Sequence, residues 1–100
     1  MEDRDSKILA RIMERKEHNP VYSAELEKEF KISGSEIRKI IRAFRRDGIP
    51  VANSKTGYYY ARNFKEIEPT IVDLEKRTLS MLSTISALKK NFEKSQLELF

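Results

Sequence analysis

The sequence predicts a mainly α-helical protein that carries a small β-hairpin and continues into a long C-terminal helix. Apolar residues recur at helical spacing through residues 35–47, and two runs rich in β-branched and aromatic residues follow on either side of a polar loop. A second apolar repeat, with alternating spacings of three and four, extends from Ile71 to Phe92. A chain of 100 residues can bury one modest core, so we expect one domain with an appendage.

The N-terminal segment is predicted to form two short helices with an extended piece between them. Asp3 or Asp5 can cap a first helix that reaches about residue 17. Its apolar stripe consists of Ile8, Leu9, Ile12 and Met13. His18-Asn19-Pro20 breaks this helix, and Val21-Tyr22 follows as a short piece that suits an edge strand. Ser23 can then cap a second helix that ends near Phe30.

A helix predicted over residues 35–47 organises the rest of the chain. Its buried face consists of Ile37, Ile40, Ile41 and Phe44. Ser33 and Glu36 have the spacing of a capping box, and Gly48 suits the position that ends a helix. Two helices joined by the short connection 31–34, with the second longer and basic, predict a helix-turn-helix.

Basic residues are concentrated on this helix and the segment after it. Residues 1–30 carry 6 basic and 8 acidic side chains, residues 31–62 carry 8 and 2, and residues 63–100 carry 6 and 6. A local excess of +6 on an otherwise balanced chain favours a polyanionic partner. The alternative is a solvated helix face with no ligand.

Two strands are predicted after Gly48, on either side of the loop 54–57. By the period of two, four residues should pack against the helices: Ile49, Val51, Tyr58 and Tyr60. Tyr59 and Lys55 should then point away from the core. For Tyr59 we weigh a phosphate or sugar contact against a plain preference of tyrosine for strands.

The order of these elements over residues 4–62 resembles a winged helix-turn-helix domain, particularly the biotin-repressor-like branch. There a basic helix leads into Gly-Ile/Tyr-Pro-Ile/Val, a polar loop and Gly-Tyr-aromatic. The matching runs here are Arg45 to Val51 and Gly57 to Tyr60. The whole chain is also similar to small bacteriophage winged-helix proteins that have a helical tail. The expected fold is therefore a winged helix-turn-helix with a long C-terminal helix.

The resemblance implies that the helix 35–47 enters the major groove of double-stranded DNA and that the wing 54–57 reaches a phosphate or the minor groove. The predicted DNA-binding residues are Ser33, Ser35, Glu36, Arg38, Lys39, Arg42, Arg45, Arg46, Lys55 and Tyr59. Arg45 and Arg46 should lie nearer the DNA backbone. The chain departs from the family at Lys31, where many members have glycine. Lysine is strained at that position if the turn needs a positive φ.

The C-terminal segment is predicted to form an amphipathic helix over residues 69–94, with Pro69 in its first turn. Its heptad positions are Ile71, Leu74, Thr78, Met81, Ile85, Leu88 and Phe92. We expect a coiled coil that joins copies of the chain, with a dimer favoured and the helix orientation left open. The alternative is a helix folded back on its own domain. The predicted divisions are therefore 1–62, 63–94 and 95–100.

The last five residues resemble the peptide Gln-Leu-x-Leu-Phe with which bacterial replication and repair proteins dock on the sliding clamp. By this resemblance Gln96 makes a polar anchor, while Leu97, Leu99 and Phe100 fill an apolar pocket. The alternative is that these residues only extend the apolar stripe of the tail. A clamp-recruited adaptor with secondary DNA binding is therefore the second functional hypothesis.

Catalytic and membrane functions are not indicated. The chain has one histidine, no cysteine and three glycines, and it has no carboxylate or histidine cluster at metal-ligand spacing. We therefore expect neither an enzyme nor a cofactor or metal. No apolar run approaches a membrane span, and the N-terminus does not resemble a signal peptide. We expect a cytoplasmic protein, associated with the nucleoid or present in a host cell, that acts in transcription regulation or DNA replication.

Overall fold

The computed structural model describes residues 3–55 and 57–98, with side chains placed up to residue 93. It is 69% helical, with a small antiparallel sheet and a long C-terminal helix, so the coarse fold prediction is confirmed. The elements in order are α1 (Asp3–Met13), β1 (Val21–Tyr22), α2 (Ser23–Phe30), α3 (Gly34–Arg46), β2 (Val51–Asn53), β3 (Gly57–Tyr60) and α4 (Phe64–Glu98). The chain divides into two units, Met1–Glu68 and Pro69–Phe100.

Three short strands form the sheet, in the order β1-β3-β2. Both pairings are antiparallel, with Val21 opposite Tyr58 and Val51 opposite Tyr60. The extended piece predicted at 21–22 is thus an edge strand. The Ser54 N–H donates to the Gly57 carbonyl oxygen at 3.0 Å, which closes the loop between β2 and β3.

One apolar core joins α1, α2 and α3 to the sheet. Its buried residues are Ile8, Ile12, Val21, Leu26, Ile37, Ile40, Ile41, Phe44 and Val51. Ile49, Tyr58 and Tyr60 pack against it partly buried, so the predicted inward face of the hairpin is confirmed. Four of the nine buried residues belong to α3, which makes this helix the main support of the unit.

The ends of the first two helices differ from the prediction. The α1 helix ends at Met13 rather than near residue 17, and the Arg62 guanidinium donates to the carbonyl oxygens of Met13 and Arg15 at 2.9 and 3.0 Å. The N-cap of α2 is Tyr22 and not Ser23. The Glu25 carboxylate accepts the Tyr22 N–H at 2.9 Å, and this bond starts the helix one residue earlier.

Lys31 ends α2 in the left-handed conformation, with φ 54° and ψ 47°. A side chain with a Cβ is disfavoured there by roughly 1–2 kcal/mol, whereas glycine is not. The strain anticipated for lysine at this position is therefore present. The turn nevertheless closes, because the Lys31 N–H donates to the Glu27 carbonyl oxygen.

Replacing Lys31 with glycine should stabilise the protein. We expect the free energy of unfolding in urea to rise by about 0.5–1 kcal/mol, because relief of strain exceeds the entropy that glycine adds to the unfolded chain. The matched control is Lys28→Gly inside α2, which should lower stability by about 1 kcal/mol. Equal losses in both variants would show that Lys31 is not strained.

The α4 helix begins at Phe64 and contains Pro69, so the predicted start of this helix at residue 69 is wrong. The reason is a cap: the Asn63 side-chain oxygen accepts the Glu66 N–H at 3.0 Å and starts the helix before the proline. Pro69 has no N–H, so it leaves the Lys65 carbonyl without its usual helical donor. The helix continues through this defect.

Candidate nucleic-acid interface

The α3 helix has an apolar face and a basic face on roughly opposite sides. Ile37, Ile40, Ile41 and Phe44 are at most 6% exposed and fix how the helix is rotated. At about 100° per residue, the opposite arc of about 100° holds five exposed side chains. They are Ser35, Arg38, Lys39, Arg42 and Arg46. Burial of one face therefore determines which side chains the other face presents to a ligand.

Three arginines of this face have no partner within the described part of the chain. The sequence has nine arginines, and six of them donate to a carboxylate or a carbonyl oxygen. The remaining three are Arg38, Arg42 and Arg46, all on α3. Each presents a planar fork of donors that suits a phosphate or the edge of a guanine. The free arginines of the described chain are thus collected on one helix face.

The start of α3 is fixed by the predicted cap. The Ser33 hydroxyl oxygen accepts the Glu36 N–H at 3.2 Å, and Ser33 remains exposed, so its hydroxyl hydrogen is available to a ligand. The Glu36 carboxylate lies 4.0 Å from the Lys39 ammonium, at the limit of an ion pair. That contact is weak and exposed, and it leaves Lys39 able to turn towards a phosphate.

Arg45 belongs to the framework rather than to the free basic face. Its Nε donates to the Val51 carbonyl oxygen at 2.8 Å, and its Nη2 donates to the Asn53 side-chain oxygen at 3.1 Å. By helical angle it lies between the basic arc and the apolar stripe, beside β2. These contacts tie α3 to β2, while the contact of Arg45 with the DNA backbone stays a prediction.

Replacing Arg45 with methionine should destabilise the protein. The change keeps the apolar stem but removes two hydrogen bonds, so we expect the free energy of unfolding to fall by about 1–2 kcal/mol. Arg46→Met is the matched control, because Arg46 is exposed and unpartnered within the described chain. The free energy of unfolding of the Arg46→Met variant should differ from that of the natural protein by less than about 0.5 kcal/mol. Equal effects on stability would contradict the tie to β2.

Lys55 lies exposed in the loop between β2 and β3, as predicted for the tip of a wing. The loop is short and held by the hydrogen bond from Ser54 to Gly57. Lys55 thus provides one more exposed cation in the same unit as the basic face of α3.

Tyr59 is the one predicted DNA-binding residue that is buried. It lies on the opposite face of the sheet from Tyr58 and Tyr60, but it is only 4% exposed and packs with Ala52, Ala61 and Ile67. Its hydroxyl donates to the Glu66 carbonyl oxygen at 3.3 Å. Burial raises the pKa of the Tyr59 phenol, and the charges of Glu17 and Glu66 raise it further. Tyr59 thus points away from the first core as predicted, but the start of α4 covers it, so its side chain is not exposed for the predicted phosphate or sugar contact.

Arg62 has a structural role that the sequence did not indicate. Besides its bonds to Met13 and Arg15, its Nη1 donates to the Tyr60 carbonyl oxygen at 2.6 Å, and the guanidinium lies 5.9 Å from the centre of the Tyr60 ring. These contacts join residues distant in sequence, and no local pattern signals them. Arg62 is thus a link between the end of β3 and the end of α1.

The apolar residues at the predicted coiled-coil positions of α4 are exposed. Ile71, Leu74, Met81, Ile85, Leu88 and Phe92 are between 37% and 66% exposed. Thr78 is also exposed, and its hydroxyl donates to the Leu74 carbonyl oxygen at 3.0 Å, within the helix. The clamp-binding prediction for Gln96, Leu97, Leu99 and Phe100 lies outside the described side chains.

No metal or membrane site emerges from the described residues. Within them, no three histidine, cysteine, aspartate or glutamate side chains gather in a way that could hold an ion. Nor is any helix of the described chain both long and apolar enough to cross a bilayer.

Comparison with known proteins found no match to this chain among family models, curated proteins or solved structures.

Proposed function

We propose that this protein binds double-stranded DNA as a winged helix-turn-helix, with α3 in the major groove and the loop 54–57 as the wing. The observation that carries the proposal is a set of three arginines on the face of α3 opposite the core, none of which has a partner among the described residues. An unpartnered arginine row on a rigid helix is the arrangement that a polyanion complements. The α2 helix and the turn at Lys31 precede α3 in the order of a helix-turn-helix.

The side chains of α3 divide into two roles. Ser35, Arg38 and Arg42 lie towards the N-terminal part of the helix, which is the part that reads base edges in this mode of docking. Arg38 and Arg42 suit guanine, because a guanidinium can donate to both of its major-groove acceptors. Lys39, Arg46 and Lys55 suit phosphates, which position the protein without reading sequence. Such a unit binds firmly but specifies few bases.

Duplex DNA fits the proposal better than duplex RNA. The major groove of DNA is about 12 Å wide and admits a helix, whereas the major groove of A-form RNA is too narrow for side chains to read. The role we propose is that of a bacterial or bacteriophage protein of transcription regulation or DNA replication.

The proposal is tested by selection from a pool of random duplexes with the full-length chain. We expect a short motif to be enriched, with at least one guanine at its centre. Parallel selection with Arg46→Met should enrich the same motif, since that residue is assigned to phosphate. Failure to retain any duplex at low salt would contradict the proposal.

The sequence of residues 96–100 favours a second candidate function, recruitment to the bacterial sliding clamp. We propose that Gln96, Leu97, Leu99 and Phe100 form the docking peptide, which would bring the DNA-binding unit to replicating DNA. A chain that ends at residue 95 should lose co-purification with the clamp and retain binding to DNA. Unchanged co-purification would remove this candidate without affecting the proposal for α3.

A further inference from the structure

The α4 helix leaves an apolar stripe exposed over three heptads, and this stripe is not part of the proposed DNA interface. In the heptad notation Ile71, Thr78, Ile85 and Phe92 are a positions, and Leu74, Met81 and Leu88 are d positions. The helix is continuous from Phe64 to Glu98, so the register is unbroken. An apolar a/d seam with polar flanks is the surface that a second helix of the same kind covers.

The residues beside the seam distinguish the possible orientations of that second helix. At the e positions the chain has Glu75, Leu82 and Lys89. Glu75 and Lys89 form no ion pair within the described residues, whereas Arg77 at a g position is paired with Asp73 of its own helix. The two free charges lie equally far from Leu82, with opposite signs. When the second helix runs in the opposite direction, Glu75 of each copy therefore faces Lys89 of the other.

In a parallel pair each e position meets a g position of the other copy. Glu75 would then face Thr70, Leu82 would face Arg77 and Lys89 would face Thr84, so no opposite charges meet. In an antiparallel pair e meets e, and Glu75 faces Lys89 twice while Leu82 faces Leu82. Only the reversed arrangement pairs both free charges and buries the apolar e residue.

We infer that α4 joins two copies of this chain in an antiparallel coiled coil centred on Leu82. The core layers of this register pair an a residue with a d residue. They are Leu74 with Phe92, Thr78 with Leu88 and Met81 with Ile85. Leu79, one turn before Leu82 and 66% exposed, widens the apolar surface on the same side. The inference does not depend on DNA binding.

Cross-linking of full-length chains tests the orientation, because the natural sequence has no cysteine. Chains that carry only Leu74→Cys are mixed with chains that carry only Phe92→Cys, and the mixture is oxidised. The antiparallel register predicts a disulfide between position 74 of one chain and position 92 of the other. Disulfides only between identical positions would show a parallel pair and overturn the inference, as would a monomer in sedimentation equilibrium. Lys76→Cys mixed with Lys90→Cys is the matched control, at the same level on the outer face, and should not cross-link.

A charge exchange tests the same register without cysteine. Glu75→Lys places like charges together at both ends of the pair, so the dimer dissociation constant should rise about tenfold at low salt. Adding Lys89→Glu should restore the original value, because both ion pairs are rebuilt in reverse. A single variant that dimerises as tightly as the natural chain, or a double variant that fails to recover, would contradict the antiparallel register.

Discussion

Replacing both Arg38 and Arg42 with alanine should weaken binding to duplex DNA by about 30-fold or more. Each arginine that contacts a guanine contributes about 1–3 kcal/mol, and a factor of ten in affinity corresponds to about 1.4 kcal/mol. Both side chains are exposed and have no partner within the described chain, so the folded unit loses no contact. Alanine also favours helix, so the stability of α3 should not decrease. Fluorescence anisotropy with a labelled selected duplex measures the change.

The matched control for this double variant is Lys76→Ala with Lys90→Ala. It removes the same charge from exposed positions of α4 and should change affinity by less than about threefold, because neither lysine belongs to the basic face of α3. If both double variants weaken binding equally, net charge rather than the α3 face attracts the DNA. If neither weakens it, the basic face is a solvated surface and the protein acts as a scaffold.

Replacing Phe44 with alanine should remove a large part of the stability of the N-terminal unit. Phe44 is 3% exposed on the core face of α3, and truncation of a buried phenylalanine costs about 3–5 kcal/mol. A unit of this size has only about 3–10 kcal/mol of stability in total. The loss is therefore a large fraction of that total. Circular dichroism should show a much lower midpoint in urea, and DNA binding should fall with the folded fraction.

The control for Phe44→Ala is Phe64→Ala, the same change at a residue that is 65% exposed. Its effect on stability should stay within about 0.5 kcal/mol. Phe44→Leu keeps most of the buried volume and should cost less than about 1.5 kcal/mol. A folded and stable Phe44→Ala variant would contradict the account in which α3 supports the core with one face and presents arginines with the other.

Periodicity predicted most of the fold because burial has a regular signature. The spacing of Ile37, Ile40 and Phe44 located the inward face of α3, and the cap at Ser33 located its start. The alternation of Val51, Tyr58 and Tyr60 likewise predicted which side of the hairpin packs on the helices. These features are local, so the sequence contains them directly. Once the buried face of α3 is known, the helical period also predicts which of its side chains are exposed.

The sequence did not predict contacts between residues that are distant in sequence. Tyr59 lies outward from the first core as the alternation predicts, but the start of α4 covers it and forms a second small core. Arg45 has the sequence context of the other cations of α3, and only the position of β2 beside it explains its hydrogen bonds to Val51 and Asn53. Arg62 links α1 to β3, and no spacing indicates a contact of that range. Charge alone could not separate the arginines that hold the framework from those that remain free.

The most direct test of the central claim is the salt dependence of binding between the full-length chain and a duplex. Five cations are proposed to contact DNA, so each unit should release about five counterions. These cations are Arg38, Lys39, Arg42, Arg46 and Lys55. The logarithm of the association constant should then fall with the logarithm of salt concentration with a slope of about −4 or steeper. A slope near zero, or no measurable binding in about 50 mM salt, would contradict the assignment of α3 to DNA.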